Sequence, residues 1–189
     1  MIRPLFFIYI FKLMSSKKPT NKNQSTMDLK PFEILFEKYT ISHQNKTNLL
    51  INCVAIPVMV FGLLGFTWAI PFPVFSFLGS YIGYINWASL LIAFSIYFYL
   101  KLSPLLSYIM LFIEFALSFG VIQLAEWQKA GGPYVALICF TLIMLSLTAQ
   151  LIGQKIEKKP YSFSNIVKFQ YYGPIWLISL VLRRFSIKY

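Results

Sequence analysis

Charge is scarce in this chain. Only 12% of its 189 residues are Asp, Glu, Lys or Arg, where an ordinary soluble domain carries about 25%. With half of the usual polar coat missing, neither a soluble globule nor a disordered chain describes it. Cysteine is nearly absent too. Cys53 and Cys139 both lie inside apolar runs, with no CxxC or Cys/His spacing. That argues against a disulfide-stapled module, and the thiols read as small buried hydrophobes. There is one histidine, and six acids face 17 Lys+Arg, a net charge of +11. The sequence has no P-loop, nucleophile elbow, zinc spacing or paired-carboxylate motif. It also has no internal repeat, which sets it apart from the usual repeat-built carriers.

What is abundant is apolar and aromatic: 58% and 19% of the residues. The expected solvent is lipid. The basic residues sit in blocks between long apolar runs, the layout of cytoplasmic loops beside a bilayer. A nucleic-acid-binding protein would instead carry them as a stripe on a water-soluble fold, so no nucleic-acid partner is expected.

Residues 1–26 are expected to be dispensable or disordered, with a true start possible downstream at Met27. Their uninterrupted apolar run, 4–11, is too short to span. The stretch 15–26 is polar and unpatterned, and no signal-peptide cleavage site follows the apolar run. Residues 27–189 form the single membrane-embedded domain. An amphipathic helix is expected over 28–41, with Pro31 in its first turn and Leu29, Phe32, Phe36 and Tyr39 along one stripe. It would lie in the interface or dock on the bundle.

Residues 49–100 contain no charge at all. A crossing needs about 20 residues, so this run holds two, at about 49–70 and 80–100, broken at Pro71, Pro73 and Gly79-Ser80. A third is expected at about 102–125 and a fourth at about 133–153, with Gly131-Gly132-Pro133 turning between them. The segment 169–182 is apolar but short, contains Pro174 and ends at Arg183-Arg184, which suits an interfacial or re-entrant helix. The expected fold is therefore all-α: a polytopic membrane helical bundle of about four transmembrane helices with N- and C-terminal interfacial helices. Four crossings put 16 basic residues on one side and only Lys129 on the other. Both termini should then face the cytoplasm.

Polar residues inside such spans are informative. His43, Asn48 and Asn52 lie where the chain enters the membrane, and the two asparagines share a helical face. At the far end of the fourth span Gln150, Gln154 and Glu157 also share a face. They are either a solvated helix end or one wall of a polar pocket completed by the His43 segment. Glu114 lies in mid-span, where acids are functional candidates by default. It is protonated, paired with Lys101, or nearer an interface than the span boundaries suggest.

At these clusters the chain resembles the small membrane proteins of the 2-hydroxy-fatty-acid dioxygenase-like family, with a tail most like bacterial members. The resemblance covers about 39–189. It rests on Tyr39-x-x-x-His43-x-x-x-x-Asn48-x-x-x-Asn52 followed by Val54-Ala55-Ile56-Pro57. Further on come Gln150-Leu-Ile-Gly153-Gln154-Lys-Ile-Glu157-Lys-Lys-Pro160 and Gly173-Pro174-Ile-Trp176. The resemblance implies an Fe(II)-dependent dioxygenase that shortens 2-hydroxy fatty acids by one carbon, with His43 as a metal ligand and His43 and Glu157 as catalytic groups. Asn48, Asn52, Gln150, Gln154 and Glu114 would line the polar pocket.

The family pattern has histidines where this chain has Asn52 and Gln154. Neutral amides are weak iron ligands and cannot act as bases, so the expectation is a member with weakened or lost iron chemistry. The implied partners are membrane lipid and a 2-hydroxy fatty acid. The implied location is a bacterial inner membrane, or the endoplasmic reticulum if the chain is eukaryotic. The alternative is a non-enzymatic membrane protein serving lipid organisation or partner binding. A shared pocket also requires a helix break near 45–47, because His43 and Asn52 would lie about 13.5 Å apart on one continuous helix.

Overall fold

The computed structural model describes residues 31–73, 85–157 and 163–187. The expected extension over 1–26 and the Gly79-Ser80 break lie outside the described residues. Among those described, the chain is helical without strands. In order, the elements are α1 (Pro31–Ser42), α2 (Lys46–Ala69), α3 (Trp87–Leu100), α4 (Pro104–Lys129), α5 (Val135–Ile156) and α6 (Phe163–Arg184).

The helix boundaries follow from local chemistry. Asn45 caps α2, its side chain accepting from the backbone N–H groups of Thr47 at 2.9 Å and Asn48 at 3.5 Å. Asn86 and Ser89 form a reciprocal capping box at the start of α3, satisfying two otherwise orphaned donors. Pro104 opens α4, where its missing N–H costs nothing. Gly131 makes the α4–α5 turn at φ +95°, a conformation that a side chain would strain.

Among the described residues three helices, α2, α4 and α5, are long and apolar enough to cross a membrane, as in an integral membrane protein. Only 39%, 28% and 22% of their most apolar windows are buried inside the protein. The rest is surface that water would not tolerate: Phe112, Phe115 and Phe119 on α4 are 74%, 76% and 63% exposed. Helix α3 is apolar but has only 14 residues. At about 21 Å it falls short of the roughly 30 Å hydrocarbon core, so the expected crossing at 80–100 is seen only in its second part.

The backbone of the bundle is the antiparallel pair α2–α5. Its register is fixed by contacts of Asn48 with Gly153, of Ala55 with Ser146 and of Gly62 with Cys139 and Ile143. Missing side chains permit the approach. A Cβ on Gly65 would fall on Cys139 Sγ. Small residues of this kind bring helices together where lipid supplies no hydrophobic drive. Helices α3 and α4 form a hairpin stitched by Ser107 Oγ donating to Ile96 O at 3.1 Å.

Helices α1 and α6 close one end of the bundle. Phe36, Phe169, Ile175, Trp176 and Leu182 join Ile56, Tyr99, Leu106 and Met110 in one core cluster. The C-terminal helix is longer than the expected 169–182 segment and runs through Pro174. Tyr99 OH donates to Tyr171 O at 3.1 Å, next to the carbonyl of Gln170 that the proline leaves without its helical N–H.

Candidate functional site

The helix break required for a shared site is present. Helix α1 stops at Ser42, α2 starts at Lys46, and the connecting residues lie against the C-terminal end of α5. Glu157, the C-cap of α5, reaches across to them. Its Oε1 accepts from Gln44 N at 2.9 Å, and its Oε2 accepts from Asn45 N at 3.1 Å and from Asn48 Nδ2 at 3.1 Å. A carboxylate here also sits favourably at the positive end of the α2 dipole. The chain of bonds continues inward. Asn52 Nδ2 donates to Asn48 Oδ1 at 2.8 Å and to Asn48 O at 2.9 Å.

Asn48 and Asn52 are 0% and 1% exposed, and Asn48 Oδ1 fills the space that a Cβ on Gly153 would need. The chain ends on a carboxamide oxygen, Asn52 Oδ1. It is buried and has no hydrogen-bond partner among the described residues. An unsatisfied buried acceptor costs about 1–3 kcal/mol, so this atom is poised for a donor.

A second polar chain lies one layer deeper. Ser146 Oγ donates to Ala55 O at 2.6 Å, Gln150 Nε2 donates to Ser146 Oγ at 3.3 Å, and Gln170 Nε2 donates to Gln150 Oε1 at 2.8 Å. The α2–α5 register puts Gln150 level with Asn52. Polar groups from α2, α5 and α6 therefore face one another at this end of the bundle.

His43 is buried beside them in an aromatic wall. Its ring stacks on Phe169 at 4.9 Å and 11° and meets Trp176 at 5.1 Å and 45°. Nδ1 lies 2.9 Å from Tyr39 O. A carbonyl can only accept, so Nδ1 carries the hydrogen and Nε2 the lone pair in the neutral ring. Trp176 Nε1 donates to Thr40 Oγ1 at 3.1 Å, locking α6 onto α1. Burial, with the neighbouring Tyr172 phenol, pushes the Tyr39 phenol up to about 12.

The structure thus gathers Glu157, Asn48 and Asn52 into one hydrogen-bonded chain, with the backbone next to His43 at its outer end. Gln150 belongs to the neighbouring chain. Gln154 is half-buried on α5, and its side chain joins neither. Glu114 stands apart on α4. Ser95 Oγ lies 2.8 Å from both of its carboxyl oxygens. Lys101, one of its expected partners, instead sits 4.4 Å over the Tyr97 ring. Sequence reasoning missed Ser146 and Gln170. The first stands four residues before Gln150 and was legible as a shared face. The second sits on a helix whose docking no spacing reveals.

The described residues do not fit an iron centre. Among those described, no three His, Cys, Asp or Glu side chains come close enough to hold a metal ion. The Glu157 oxygens are engaged by backbone and amide donors, and the two central positions carry amides. Comparison with protein-family models, curated proteins and solved structures gives no match.

Proposed function

We propose that this chain is a four-crossing membrane protein of the 2-hydroxy-fatty-acid dioxygenase-like kind, with both termini on the basic, cytoplasmic side. In this reading it keeps the polar end of that scaffold while iron-dependent oxidation is weakened or lost. The observation that carries the proposal is the Glu157–Asn48–Asn52 chain. Its inner end, Asn52, stands at one of the positions where the resemblance expects a histidine, and it offers one buried acceptor, Asn52 Oδ1. The hydroxyl of a 2-hydroxy acid is a donor of the right type for that oxygen, and the acyl chain would remain in the bilayer.

The test is retention of 2-hydroxyhexadecanoic acid against hexadecanoic acid by the detergent-purified full chain. Preference for the hydroxylated acid, lost in Asn52→Leu, supports the reading. Equal retention of the two acids by the wild-type protein overturns it. One observation favours the second reading, a non-enzymatic membrane protein in lipid organisation: Glu157 spends its oxygens on the 44–45 backbone, a structural use. That reading predicts no preference between the acids and an intact fold.

A further inference from the structure

The opposite end of the bundle holds a cavity that the polar chain does not touch. The last turns of α2 and α4 and the first turn of α5 border a half-open cavity of about 260 Å³, lined by Trp68, Ala125, Gln128, Lys129, Tyr134 and Ala136 among others. The polar side chains on this lining present donors. Trp68 has only its indole N–H and Lys129 only its ammonium protons. Gln128 has already committed its oxygen, which accepts from Val135 N at 2.7 Å, so its NH2 is the end left to bond. Tyr134 adds a hydroxyl on a ring that is 72% exposed.

Among the described residues no carboxylate lines the cavity. Glu126, next to Ala125 in sequence, holds Lys129 Nζ at 2.8 Å, with both side chains mostly exposed. A pair of that kind is weak and yields to a better anion. Trp and Tyr are also the residues that settle at head-group depth. Phe140, one turn below Ala136 on α5, is 47% exposed, and Leu137 is 61% exposed. An apolar track therefore leads from the cavity toward the bilayer interior.

We propose that this cavity binds the phosphate group of a glycerophospholipid, with Lys129, Trp68 and the Gln128 amide as donors and the acyl chains along Leu137 and Phe140. The proposal is independent of the site at the Glu157 end.

The test is native mass spectrometry of the detergent-purified full chain with phosphatidylglycerol, diacylglycerol and inorganic phosphate as separate probes. Phosphatidylglycerol should be retained and diacylglycerol not. Lys129→Ala should weaken retention about tenfold, the loss of one charge-assisted bond, Lys129→Arg should restore most of it, and Glu126→Gln should strengthen it by releasing Lys129. Lys129 is exposed, so these variants should fold. Unchanged retention in Lys129→Ala, or equal retention of diacylglycerol, overturns the proposal. Displacement of the lipid by an equal concentration of inorganic phosphate would show a free-anion site and overturn the lipid assignment.

Discussion

Gly153→Ala adds one methyl group, and the structure says what it meets. The new Cβ would fall on Asn48 Oδ1, far inside van der Waals contact, with Ile51 Cγ2 3.6 Å away. An unpinned side chain would swing aside, but Asn48 is held at both ends of its amide. Oδ1 accepts from Asn52 at 2.8 Å, and Nδ2 donates to Glu157 at 3.1 Å. Moving it breaks at least one of these bonds and strands buried groups, at about 1–3 kcal/mol each. The better helix propensity of alanine returns about 1 kcal/mol. The expected net loss is about 2 kcal/mol.

The decisive comparison is a double-mutant cycle, read as the unfolding midpoint of the detergent-purified protein. In an Asn48→Ala background the obstruction is gone, and Gly153→Ala should be neutral or slightly stabilising. The two changes should therefore couple by about 2–3 kcal/mol. Gly173→Ala is the control, because its nearest neighbour stands at 3.4 Å and a small shift accommodates it. Additive losses in the cycle would refute the pinned-asparagine account.

Glu157→Ala should release the 43–45 connection. A loss of about 2–3 kcal/mol is expected from its charge-assisted bonds, with faster proteolytic cleavage near Gln44 as the readout and slower or unchanged cleavage as the contrary result. Glu114→Gln should be tolerated, because an amide can still bond Ser95 Oγ. Glu114→Leu removes the bonds to Ser95 Oγ, which keeps only Ile92 O at 2.9 Å, and should lower the unfolding midpoint more than Glu114→Gln does. The raised Tyr39 pKa gives a signed pH dependence. The unfolded phenol ionises near 10 and the folded one near 12, so this contribution is full below pH 10 and is lost as pH rises to 12. Tyr39→Phe should flatten that part of the stability profile, and an unaltered profile would contradict the assignment.

Much of the architecture is legible from the residues. The charge-free run over 49–100 and the Gly-Gly-Pro turn locate α2, α4 and α5 to within a few residues, because lipid permits few spanning structures. Spacing also finds the Asn48/Asn52 and Gln150/Glu157 faces. It does not show which faces meet. Helical periodicity is a property of one helix, whereas the union of Asn48 with Glu157 depends on the α2–α5 register, and that register depends on Gly62, Gly65 and Gly153 as close-approach points. The aromatic wall around His43 was hidden for the same reason. Phe169 and Trp176 lie on a helix whose docking rests on Trp176 reaching Thr40, 136 positions away in sequence. Glu157 reads as a pocket acid from its spacing, yet two of its bonds go to backbone N–H groups, a use that no residue pattern encodes.

The central proposal is that two amides, Asn52 and Gln154, stand where the resemblance expects imidazoles, while the Glu157 carboxylate is committed to backbone and amide donors. Metal analysis of the detergent-purified full chain after loading with Fe(II) tests it most directly. The account predicts well under one iron per chain for the wild-type protein, with a gain in the Asn52→His, Gln154→His double variant. One tightly bound iron per wild-type chain, with turnover of a 2-hydroxy acid, would contradict it.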